Sequence, residues 1–124
     1  MAAAAALADV DTVLTICGFD AQQRNILTNV EGFINFDTFG ILDGDRDVSD
    51  IFKRAASRTV AQGRMVAGTI QIKRFQSLVW WINDHRKRNL AIVAADWTPA
   101  AMAQAATDKR VAEEEKETVT LPCL

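Results

Sequence analysis

The sequence predicts an all-α fold, a five-helix bundle with a long fifth helix and an added C-terminal helix. Two prolines and six glycines in 124 residues leave few breaks, which disfavours a many-turned β fold. Apolar residues recur at three- and four-residue spacing in successive stretches, and a cap or breaker separates each stretch from the next. Hydrophobic residues make up 49% and charged residues 24%, a globular rather than a disordered balance.

The first helix is expected over about Ala3 to Cys17, with Leu7, Val10, Leu14 and Cys17 on one face. Gly18 follows, where a glycine relieves the left-handed turn that ends a helix. Asp20 caps a second helix, and Gln23 three residues on completes a capping box. Ile26, Leu27 and Val30 form its buried side, and Glu31-Gly32 ends it. The apolar run Phe33 to Leu42 alternates like a strand. A lone strand has no pairing partner, so a short helix from Asn35 or Asp37 is the better reading.

Asp47 is expected to cap the fourth helix, whose stripe is Val48, Ile51, Phe52, Ala55, Ala56 and Thr59. Thr69 is expected to cap the long helix, about Ile70 to Arg88. There Ile72, Phe75, Leu78, Val79 and Ile82 share a face, with Trp80 and Trp81 on the other. His85, Arg86, Lys87 and Arg88 suit its negative dipole end. Thr98-Pro99 opens the last helix, with Trp97 and Met102 at hydrophobic-staple spacing. The resulting organisation is a helical bundle over 1–90, an appended helix over 91–112 and an acidic polar tail over 113–124.

The net charge of −2 conceals a segregation. Residues 1–50 carry nine acids and two bases, residues 51–90 nine bases and one acid, and residues 91–124 six acids and three bases. Such patterning concerns association and steering rather than fold. The short apolar start soon meets Asp9 and Asp11 and lacks a basic flank, so it reads as helix rather than signal peptide. No run reaches the ~20 apolar residues of a membrane span. Cys17 and Cys123 form neither a disulfide framework nor a metal spacing, and Cys123 stands too near the end for a prenylation box. An intracellular location, cytoplasmic or nuclear, is expected.

Asp43, Asp45 and Asp47 have the first spacings of a calcium loop, but Val48 and Arg54 occupy the positions that need glycine and glutamate. His85, the one histidine, stands among cations and has no placed nucleophile or co-ligand. Gly63 and Gly68 lead into no phosphate-loop lysine. No enzyme, cofactor or metal site and no small-molecule substrate is therefore expected. The live signal is a basic and aromatic patch, Arg54, Arg58, Lys73, Arg74, Trp80 and Trp81, complementary to an acidic patch, Asp43, Asp45, Asp47 and Asp50; the plainer reading is a long helix buried on two sides, with one tryptophan meeting the last helix through Ala101, Met102 and Ala105.

Four shorter helices followed by a long one, over about Leu7 to Arg88, resemble the sterile alpha motif (SAM) domain. The likeness rests on the Gly18-Phe19 turn, the Phe33 to Leu42 patch, Asp45-Arg46-Asp47-Val48 leading into Ile51, and the long helix. It implies head-to-tail self-association, with Asp43, Asp45, Asp47 and Asp50 as the acidic side and Lys73 and Arg74 as the basic side. The Arg58 to Gly68 connection is longer than the usual SAM one.

A looser likeness joins Ala56-Ser57-Arg58-Thr59, Ala61-Gln62-Gly63-Arg64, Val79-Trp80-Trp81 and Asp84-His85. These runs are similar to N-terminal segments of Gag-like polyproteins from copia-type retroelements of diatoms and other marine algae. That resemblance implies an assembly or RNA-packaging segment, here without a zinc knuckle. The expected function is a protein-interaction module that binds itself or another protein, without membrane contact. Nucleic-acid binding is the second reading.

Overall fold

The computed structural model describes the backbone of residues 2–42 and 44–120, and the side chains of 8–42 and 44–115. Six α-helices and no strand occur among them: α1 (Ala2–Ile16), α2 (Ala21–Asn29), α3 (Phe36–Phe39), α4 (Asp45–Ser57), α5 (Thr69–Lys87) and α6 (Pro99–Thr120). Two 3-10 turns, Val60–Gln62 and Ala94–Asp96, lie in the connections on either side of α5.

Local chemistry sets most of the boundaries. Gly18 takes φ +95°, and Phe19 N–H closes the end of α1 by donating to the Leu14 carbonyl at 3.2 Å. Asp20 and Gln23 form the reciprocal capping box of α2, with bonds of 2.8 and 2.9 Å. Asn35 caps α3 through Thr38 N–H. Thr98 Oγ1 accepts from Ala101 N–H at 3.1 Å, so α6 begins at Pro99.

Two expected caps lie later in the chain than the real ones, Asp47 three residues after Gly44 and Thr69 one residue after Gly68. Helix α4 starts at Asp45 with Gly44 as its N-cap, so Asp47 belongs to the first turn rather than capping it. Helix α5 starts at Thr69 behind Gly68, whose N–H is taken by Gln71 Oε1 at 2.8 Å. Gln71 thus closes the start of α5, whereas Gly44 makes no side-chain cap bond at the start of α4. At the other end, α6 continues to Thr120 without a break near residue 112.

The core is organised around Phe75 of α5, which is fully buried. Phe19, Phe33, Phe39 and Phe52 surround it, their ring centroids 5.3–6.1 Å from its own. These residues come from the α1–α2 turn, the α3 region and α4, so one side chain ties three segments to α5. Val10, Val13, Leu14 and Leu27 extend this core along α1 and α2.

A second layer closes the other side of α5. Asn89 takes the left-handed conformation, φ +57°, as α5 ends. The chain then returns, and Trp97 sits on Trp81 with centroids 5.1 Å apart. Farther along α6, Lys109 reaches Asp45, whose backbone carbonyl also lies 3.4 Å from Gln76 Nε2 early in α5. Helix α6 therefore runs antiparallel to α5. This explains why Trp81 is only 8% exposed although helical periodicity turns it away from Phe75. No helix among the described residues is long and apolar enough to cross a membrane.

Candidate functional site

The acidic patch of the sequence lies at and after the start of α4. Asp43 falls outside the described residues. Asp45 is half-buried and pairs with Lys109 at 2.7 Å, while Asp47 is also half-buried and engaged. Asp50, one turn into α4, is exposed and forms no ion pair among the described residues. Upstream of this patch stand two exposed apolar side chains, Ile34 and Ile41, and the acid Asp37. Ile41 is 80% exposed.

The basic and aromatic residues separate into four places. Arg54 and Arg58 both reach Glu31, at 3.2 and 2.5 Å, and the Glu31 side chain is 5% exposed. This cluster pins the end of α4 to the α2–α3 turn. Trp81 belongs to the layer under Trp97, where His85 Nδ1 donates to its carbonyl oxygen at 2.9 Å. Trp80 is half-buried and lines a cleft beneath α6.

Lys73 and Arg74 remain at the start of α5, exposed and without an ion pair among the described residues. They share a helix face with Ile70, three and four residues before them. Ile70 is 66% exposed, an unusual position for a large aliphatic side chain on a basic face. Beside it, Gln23 Nε2 donates to the Val66 carbonyl at 3.0 Å and meets Gln71, which ties α2 and the connection to this end of α5. Val60, Arg64 and Val66 border a shallow hollow of about 250 Å³ there, over Ile26 and Met65. Gly63 permits the approach: with φ +89° it packs under Val30, and an added Cβ would come within 2.9 Å of that side chain.

Sequence reading missed Ile70, Val60 and Val66 as surface residues. An isoleucine three and four positions before adjacent cations was the available signal for Ile70. It also missed Lys109, Glu31 and their pairings, which join segments far apart in sequence.

Cys17 is fully buried, and burial pushes its thiol up to about 12, against the lowering effects of the Trp97 indole N–H and the Arg74 charge. No group of three or more His, Cys, Asp or Glu side chains among the described residues could hold a metal ion. No protein-family model matches the chain, and comparison with curated proteins and with solved structures gives no match.

Proposed function

We propose that this chain is a non-enzymatic association module whose partner is a second copy of itself, joined head to tail. An acidic and apolar face, Ile41 with Asp50, docks on the basic and apolar face formed by Val66, Ile70, Lys73 and Arg74 of the next copy. The observation that carries this reading is the exposed Ile70 flanked on its own helix face by two cations with no ion partner among the described residues. An interface needs an apolar centre for affinity and a charged rim for register, and both faces offer that pair. Contact between unlike faces is heterologous, so it builds rings or open filaments rather than closed two-fold dimers. The likeness to SAM domains supports the same arrangement.

Sedimentation velocity at low and high ionic strength tests the proposal. Assembly is expected at low salt and weakens as screening grows. Asp50→Lys and Lys73→Glu each abolish it, and the double variant restores it. Asp50 serves the test better than Asp45, because Asp45 is already tied to Lys109 within its own copy. A chain that stays monomeric at tens of micromolar in low salt overturns the reading. Tight binding of single-stranded RNA with a steep salt slope, lost on changing Lys73 and Arg74, favours the nucleic-acid reading instead.

A further inference from the structure

Between the start of α4, the later part of α5 and α6 lies an open cleft of about 710 Å³. We infer that it seats an acidic peptide segment of a partner protein, one bulky apolar side chain resting on Trp80 and neighbouring carboxylates meeting Arg86 and Lys87.

The lining sorts by chemistry. Leu42, Val79, Trp80 and Ala112 make an apolar wall, while Arg86 and Lys87 stand at one end. The cleft's acids among the described residues, Asp45 and Glu113, both accept from Lys109 Nζ, at 2.7 and 2.8 Å. Their charge is thus partly cancelled from inside. Lys87 is exposed and has no ion pair among the described residues, and Arg86 pairs only with Asp37, a carboxylate 84% exposed. A surface pair of that kind exchanges readily for another carboxylate. Asn83 is half-buried with no hydrogen bond among the described residues, so its amide is available to a peptide backbone.

The open shape selects the class of occupant. Small-molecule sites enclose most of their ligand, whereas a side chain can enter an open cleft while its backbone runs on across the rim. A nucleic-acid strand carries its charge at every step and would bring phosphates against Asp45, Glu113 and Asp37. A peptide can keep its acids at Arg86 and Lys87 alone. The cleft shares neither Ile70 nor Lys73 with the self-association face.

The test is an NMR titration of the full isotope-labelled chain, and of its Lys73→Glu variant, with a short synthetic peptide rich in Asp and Glu and carrying a single Phe. Saturable shifts are expected at the Trp80 indole and the Asn83 side-chain amide, equal in the two backgrounds, which separates this site from self-association. Lys87→Glu, at an exposed position that leaves folding intact, weakens binding roughly tenfold. Replacing the acids of the peptide by Lys, or its Phe by Ala, has an effect of similar size. The inference is overturned if those resonances stay still, or if the peptide with Lys in place of its acids binds as well. Larger shifts with an oligouridylate than with the peptide, or concentration-dependent shifts of the Trp80 and Asn83 resonances in the Lys73→Glu chain alone, also overturn it.

Discussion

Lys109 Nζ lies 2.7 Å from Asp45 Oδ2, an ion pair that joins α6 to the first turn of α4 across 64 residues of sequence. The same ammonium donates to Glu113 at 2.8 Å, one helical turn on. Burial pulls the Lys109 pKa down, but the bonds and charges of Asp45 and Glu113 outweigh it and hold the value above that of an ordinary lysine. Its contribution to stability is therefore complete below the ordinary lysine range and is lost as pH rises through the higher folded value. Lys109→Met should cost about 1 kcal/mol, since the Asp45 end is open to solvent. Asp45→Asn should cost less, because Glu113 still holds the ammonium. Urea unfolding of the three proteins at neutral pH measures both differences.

The contact between Trp97 and Cys17 carries a different pH dependence. Trp97 Nε1 is buried without a conventional partner, and the Cys17 sulfur, a weak acceptor, is the group it meets. Burial favours the neutral thiol, lifting its pKa from 9.0 to about 12. Above pH 9 the unfolded chain gives up this proton while the folded chain keeps it, so stability falls as pH climbs toward 12. The slope from this group is at most about 1.4 kcal/mol per pH unit. Cys17→Ala should lower stability at neutral pH by about 1 kcal/mol through the lost sulfur contacts, yet flatten the alkaline limb. Thermal unfolding followed between pH 8 and pH 11 separates the two effects. An equally steep limb in both proteins would remove Cys17 from this account.

What could be read from the sequence was local. Asp20 with Gln23, Cys17-Gly18 and Thr98-Pro99 each settle a boundary within a few residues, and the structure places a boundary at each. The start of α4 was harder. Asp45 and Asp47 are both favourable in a first turn near the helix dipole, so residue preference alone could not tell which position comes first. A second buried side of α5, with one tryptophan against the last helix, was legible, but not that Trp81 is the residue and Trp97, just before that helix, its cover. The patch residues divided through contacts distant in sequence: Arg58 is drawn to Glu31, 27 positions earlier, and Asp45 to Lys109. Charge counts along a chain do not reveal such neutralisation.

Phe75 supplies the strongest stability test. Its ring meets Phe33 and Phe52 edge-on at 5.4 and 5.3 Å, and Phe19 at 6.1 Å. Truncation would remove the shared partner of several segments at once. Phe75→Ala should cost about 3–5 kcal/mol, and Phe75→Leu markedly less because most of the volume is kept. Chemical denaturation with near-ultraviolet circular dichroism reports both the loss and the loosening of aromatic packing.

The two arginines at Glu31 should behave unequally, although both are paired with the same carboxylate. Glu31 is 5% exposed at its side chain, Arg58 18% and Arg54 62%. Removing Arg54 takes away the solvent-facing partner and should cost under about 1 kcal/mol. Arg58→Ala leaves the buried carboxylate with only the long 3.2 Å contact to Arg54, so its cost should reach about 2–3 kcal/mol. Glu31→Gln should be costly too, because it strands the Arg58 guanidinium in a site that water does not reach freely. A double-mutant cycle of Glu31→Gln with Arg58→Ala then gives a coupling well above the one with Arg54→Ala. Equal couplings for the two arginines would mean that depth in the cluster does not set its energetics. The cycle also bears on assays of nucleic-acid binding. Loss of binding on Arg58→Ala would have to be separated from unfolding, whereas Lys73 and Arg74 can be changed without disturbing any ion pair among the described residues.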